Sequence, residues 1–202
     1  MKSLISYAIA LMLFSSSFGG EFNKKLSLGD VAPEWKNLPG VDGKSHSLSD
    51  LKDKEVVVVV FTCNSCPIAE DYEDRLISFA QKHAEKESKI ALVAINVNTG
   101  ADDKLEKMKV RAEKKKFSFP YLYDESQKIA KEYGASYTPE FFVLDTHRKV
   151  VYMGAMDDKT KAADVKVNYL DPAVESALKG DKPKSGETLA RGCMIKFKRE
   201  RD

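Results

Sequence analysis

A chain of 202 residues with 33 basic and 31 acidic side chains and a net charge of +2 is long enough for one domain with its own core. It is too evenly charged for an electrostatic grip on nucleic acid. Its three cysteines are an odd number, which excludes a disulfide scaffold in which every thiol is paired. At the start, Lys2, the apolar stretch Leu4–Phe14 and the small residues Ser17 and Gly19 have the pattern of an export signal, residues 1–19, cut after Gly19. The apolar stretch is short for a bilayer span, so no membrane span is expected once the signal is removed.

The elements follow in order. Val31-Ala32-Pro33-Glu34-Trp35 begins an extended segment, and Gly40-Val41-Asp42-Gly43-Lys44 has the turn residues that close a small hairpin. Ser47–Leu51 reads as one helical turn. The five valines Val56–Val60 read as a buried parallel strand, because an unbroken apolar run suits a strand covered on both faces. Ile68–Phe79 is a helix with Tyr72, Leu76 and Phe79 on one face. Ile90–Val97 is a second apolar strand. Asp102–Lys116 is a charged helix whose Leu105, Met108 and Ala112 recur at helical spacing, its lysines forming a solvated face. Phe119–Tyr123 is a short strand and Ser126–Tyr133 a helix stopped by Gly134. Glu140–Leu144 and Val150–Met153 form a hairpin, and Ala173–Leu178 belongs to a last helix ahead of a basic C-terminal tail, 179–202. Strands alternating with helices imply a parallel sheet with right-handed crossovers, to which the hairpin adds antiparallel strands.

Chemistry concentrates in Phe61-Thr62-Cys63-Asn64-Ser65-Cys66-Pro67. Two cysteines stand where the valine strand ends and a helix begins. Reaction sites in such sheets lie at the carboxyl ends of strands, and a helix N-terminus favours thiolate over thiol. Cys63 is the nucleophile candidate and is expected to be the more exposed. Cys66, one turn into the helix, is expected to resolve a mixed disulfide by attacking Cys63. Asn64 and Ser65 add no charge. A disulfide between neighbours so close in sequence constrains little of the unfolded chain, which argues against a structural staple. Cys193, between Arg191 and Lys196, is left as an extra redox thiol, an intermolecular bridge or a thiol with no redox role. A zinc site would need a second ligand pair, and His46, His83 and His147 are scattered. No metal and no cofactor are expected.

These residues, with Ala32-Pro33, Asp42-Gly43-Lys44, Tyr133-Gly134-Ala135, Thr138-Pro139-Glu140-Phe141-Phe142-Val143-Leu144-Asp145 and Tyr152-Met153-Gly154, resemble the redoxin branch of the thioredoxin-fold proteins over residues 29–178. That branch is where domains like alkyl hydroperoxide reductase and the thiol-specific antioxidants meet exported thiol–disulfide oxidoreductases. The resemblance implies an α/β three-layer sandwich, with a central mixed sheet, helices on both faces and an N-terminal extension. It implies a cis bond before Pro139, with Pro139 and Thr138 shaping a groove where a partner chain lies beside the thiols. Thioredoxins keep a buried acid on the strand before the cysteines. Here that strand is valine, so Glu70 and Glu140 become the candidate proton acceptors.

The implied function is a periplasmic or secreted thiol–disulfide oxidoreductase. It would exchange disulfides with protein disulfide or dithiol substrates and be served by an upstream electron donor or acceptor. Two alternatives stand beside it. One is a thiol peroxidase of peroxiredoxin type, whose pattern wants one residue fewer between Thr62 and Cys66-Pro67. The other is copper handling or haem maturation, which would ask for a histidine near the thiols.

Overall fold

The computed structural model describes residues 19–85 and 87–199. The expected export signal therefore lies outside the described residues, save Gly19. Gly43, at φ +78°, makes the turn between β1 (Leu38–Pro39) and β2 (Ser45–His46), a backbone shape that glycine adopts without cost. Ser47 then leads into a single helical turn, Leu48–Leu51.

The valine run becomes β3 (Val56–Thr62), buried along its whole length. Its side chains alternate between two cores, as a period of two requires. Val56, Val58 and Val60 enter one cluster, while Val57, Val59 and Phe61 enter the other. This central position explains why no polar side chain interrupts the run. α1 (Pro67–Lys82) follows, with Pro67 at its first position, where a missing N–H costs nothing. β4 (Ile90–Asn96) lies parallel to β3.

The expected charged helix is divided. A helical turn, Ala101–Asp103, is separated from α2 (Leu105–Lys115) by Lys104 in extended conformation. β5 (Tyr121–Tyr123), α3 (Lys128–Tyr133), β7 (Glu140–Leu144), β8 (Val150–Gly154) and α4 (Leu170–Lys179) keep the expected order, and a short strand that was not expected, β6 (Tyr137–Thr138), precedes β7. Gly134 ends α3 at φ +68°, the left-handed stop foreseen for it.

The main sheet runs β5-β4-β3-β7-β8. The first three strands are parallel, and β7 and β8 are antiparallel to their neighbours. α1, α2 and α4 cover one face through Tyr72, Leu76, Phe79, Met108, Leu170 and Val174. α3 covers the other through Ile129, Ala130 and Tyr133, joined by Leu26, Trp35 and Leu48 of the N-terminal extension. The result is a three-layer α/β sandwich.

The C-terminal segment corrects the expectation of a separate basic tail. Residues 186–198 are built into the body. Met153 donates to Gly186 O and Thr188 donates to Met153 O, both at 3.0 Å, which lays the segment along β8. Further on, β9 (Cys193–Met194) pairs antiparallel with β6, Thr138 opposite Cys193. The packed body also begins before residue 29. The Glu187 carboxylate accepts from the backbone N–H groups of Glu21, Phe22 and Asn23, each at 2.8 Å.

Candidate functional site: three cysteines around Thr138

β3 delivers Cys63 to its carboxyl end, and Cys66 caps α1 with its sulfur accepting from Ala69 N–H at 3.4 Å. Across from them stands Thr138, joined to Pro139 by a cis peptide bond. Cys63 Sγ lies 3.2 Å from Thr138 Oγ1, and Cys66 Sγ lies 3.3 Å from the Thr138 carbonyl oxygen. Thr138 Oγ1 also lies 3.5 Å from the carbonyl of Cys193. One residue thus touches all three cysteines.

The disulfide joins Cys66 to Cys193, with Cα atoms 6.0 Å apart, a separation ordinary for such a bridge. Cys63 is the free thiol. In this structure the oxidised pair is therefore Cys66 with Cys193 and not the neighbouring Cys63 with Cys66, which gives Cys193 its partner. The missing signal was tertiary: β9 brings residue 193 beside residue 138. A second correction concerns exposure. Cys63 and Cys66 are 3 % and 2 % exposed, so neither sulfur is open, and Cys193 packs against the small cluster that they form with Ala69. Burial pushes the Cys63 thiol above its ordinary value, the Thr138 hydroxyl opposes that shift, and the negative charge of Asp103 adds to it. Desolvation is the largest of these influences, so Cys63 is not the low-pKa thiol that its place before a helix suggests.

Asp103 is a residue that sequence reasoning left on a helix start. It is 1 % exposed and holds the loop between the cysteines. Its carboxylate accepts from Asn64 N at 2.7 Å, Ser65 N at 3.2 Å, Ser65 Oγ at 2.7 Å and Asn96 Nδ2 at 3.3 Å. Asn64 is equally committed. Its Nδ2 donates to Asp102 O, its Oδ1 accepts from Tyr121 OH at 2.8 Å, and its carbonyl accepts from Arg111 at 2.9 Å. The one legible hint was position: β3 and β4 are parallel neighbours, so an acid just past the end of β4 can reach the loop past the end of β3.

The two acids nominated from sequence stand elsewhere. Glu70 is exposed and sits 3.1 Å from Arg111. Glu140 is buried at the start of β7 and accepts from Ser136 N at 2.7 Å and Tyr137 N at 3.0 Å, so it shapes the turn that leads into Thr138. Burial pushes it from the ordinary 4.5 to about 7, against those two hydrogen bonds. Among the described residues, no hydrogen bond joins either carboxylate to a cysteine. Nor, among them, does any group of three or more His, Cys, Asp or Glu gather to hold a metal ion. No helix there is long and apolar enough to cross a membrane.

Comparison with known proteins agrees with this architecture. The Redoxin family model matches residues 27–169. Among curated proteins, the thiol–disulfide oxidoreductase ResA of Geobacillus thermodenitrificans is 25 % identical over 154 residues, covering 74 % of this chain and 83 % of that protein. Two solved structures are nearer. A conserved protein of Geobacillus kaustophilus is 34 % identical with a TM-score of 0.79, over 87 % of this chain and 94 % of that one. A hypothetical protein of Sinorhizobium meliloti is 33 % identical with a TM-score of 0.80, over 88 % and 98 %.

Proposed function

Because this chain belongs to the redoxin family and has its thioredoxin-like fold, we propose that it is a thiol–disulfide oxidoreductase acting on protein partners outside the cytosol. The observation that carries this reading is the placement of Cys63 and Cys66 sulfurs 3.2 and 3.3 Å from the two oxygens of Thr138, at the carboxyl end of the central strand.

In the dithiol form, Cys63 attacks a partner disulfide and one partner sulfur leaves as thiolate. The Thr138 hydroxyl donates to the Cys63 sulfur as its charge develops. Cys66 then attacks the Cys63 sulfur, the partner leaves reduced, and a Cys63–Cys66 disulfide remains. An upstream dithiol restores the pair. Asp103 keeps Asn64 and Ser65 in place throughout, so the loop geometry does not have to be rebuilt at each turnover. Export is supported by the N-terminal pattern at Lys2, Leu4–Phe14 and Gly19, and it fits a compartment in which disulfides persist.

The test is reduction of insulin disulfides in the presence of a small dithiol. Wild-type protein should accelerate it, and Cys63→Ser should fall to the uncatalysed background. Retained acceleration by Cys63→Ser would sink the mechanism. Export is checked by fractionating cells that express the full chain, where a cytosolic, uncleaved product would count against it.

A further inference from the structure

We infer that Cys193 is a third redox residue, and that the C-terminal strand is an internal substrate whose Cys66–Cys193 disulfide is exchanged for Cys63–Cys66. The inference rests on the reading that Cys63 is the attacking thiol. Three observations carry it. The free thiol and the disulfide share Thr138: Cys63 Sγ meets its hydroxyl, Cys66 Sγ its carbonyl, and Cys193 its backbone across the β6–β9 pairing. The strand edge of β6, next to the cysteines, is the edge an extended partner would use, and β9 occupies it. Finally, the segment is tied down on both sides of Cys193. Before it, Thr188 N donates to Met153 O at 3.0 Å. After it, Ile195 N donates to Ser136 O at 2.9 Å, and Lys198 N to Gln127 Oε1 at 2.8 Å. A thiol released from Cys66 therefore stays nearby at high effective concentration.

The step needs no outside electrons. Cys63, as thiolate, attacks Cys66 Sγ. A Cys63–Cys66 bond forms, the Cys66–Cys193 bond breaks, and Cys193 leaves as thiolate and takes up the proton that Cys63 lost. The reverse attack by Cys193 on Cys66 restores the closed form. Arg191 and Lys196, both exposed, flank the leaving thiol in the chain and favour its charged form. In the closed form Cys63 is sealed from partners. In the open form Cys193 is free, and the β6 edge can receive another chain once β9 lifts from it.

The geometry also supplies a variant that spares every cysteine. Gly192 lies so close to the Thr138 carbonyl and the Pro139 nitrogen that a Cβ there would collide with both backbones. Gly192→Ala should lift β9 from its seat without touching a sulfur.

The purified chain is equilibrated with reduced and oxidised glutathione at several ratios, quenched in acid, alkylated and mapped by peptide mass spectrometry. Two single-disulfide isomers are expected, Cys63–Cys66 and Cys66–Cys193. Their sum should follow the glutathione ratio and their proportion should not, since both are oxidised by the same two electrons. Cys63→Ser should hold only Cys66–Cys193, and Cys193→Ser only Cys63–Cys66. Gly192→Ala should shift the proportion by about tenfold or more toward Cys63–Cys66, the equivalent of about 1.4 kcal/mol. A single isomer at every ratio, or a proportion that Gly192→Ala leaves unmoved, overturns the inference. Insulin reduction separates this from the function itself. A chain that reduces insulin but holds one isomer loses the relay and keeps the activity. A chain with both isomers and no insulin reduction keeps the relay and loses the proposed activity.

Discussion

Asp103 and Glu140 are both buried carboxylates, 1 % and 7 % exposed, at the same end of the sheet and on opposite sides of the thiols. Each braces a loop by accepting backbone N–H groups. Asp103 holds Asn64 and Ser65, and Glu140 holds Ser136 and Tyr137. They differ in the number of donors. Asp103 adds the Ser65 hydroxyl and the Asn96 amide. Glu140 has its two backbone donors, feels the negative charge of Glu187, and is carried by burial to about 7. Hydrogen bonds to the charged form offset the cost of burying it, and the two that Glu140 receives do not cancel that cost. The cysteine loop hangs from the carboxylate with more donors and the Thr138 turn from the one with two backbone donors.

The contrast breaks most visibly at Asp103. Asp103→Ala removes the acceptor for two backbone amides and a hydroxyl, each costly when left unpaired out of water. We expect a loss of about 4 kcal/mol in urea unfolding, with insulin reduction falling as the loop loosens. A loss under about 1 kcal/mol would mean that water replaces the carboxylate and that Asp103 braces nothing.

Glu140 should act through pH. Its native pKa lies above the unfolded one, so the native state holds the extra proton. The stability that this proton supplies is full below about 4.5 and is lost as pH rises through about 7. Unfolding free energy should fall across that window by at most about 3 kcal/mol, and Glu140→Gln should flatten the slope. An unchanged slope in the variant would show that Glu140 is ionised from the start.

Why one acid was visible in the sequence and the other was overlooked has a physical answer. Val56–Val60, Ile90–Ile95 and Phe141–Leu144 announce themselves because a strand in the middle of a sheet leaves an unbroken apolar run. Glu140 was noticed because it adjoins Pro139 in the chain. Asp103 was overlooked because its partners lie 38 and 39 residues away and because acids at a helix start already have a sufficient local reason. β9 was missed for a related cause. A two-residue strand has no periodicity, and Cys193 meets Thr138 across 55 residues. Local pattern fixes elements, whereas the braces and the third sulfur are properties of which elements become neighbours.

A smaller effect sharpens the role of Asp103 as a charge. Its carboxylate helps to hold the Cys63 thiol above the ordinary 9.0. Alkylation of Cys63 should therefore be slow at neutral pH and keep rising past pH 9. Asp103→Asn should move that profile toward lower pH, because the charge is gone while the shape remains. If the profile does not move, burial alone sets the thiol.

The smallest expected effect decides where a single proton goes. Ser65 Oγ lies 2.7 Å from Asp103 Oδ2 and 4.0 Å from Cys63 Sγ, and a hydroxyl has one hydrogen to give. The shorter, charge-assisted partner takes it. Ser65→Ala should then cost about 1 kcal/mol of stability through Asp103, and leave the pH profile of Cys63 alkylation where it was. A profile displaced upward in Ser65→Ala would mean that the hydroxyl serves the sulfur. The loop would then stabilise its thiolate directly, in place of bracing it from the neighbouring strand.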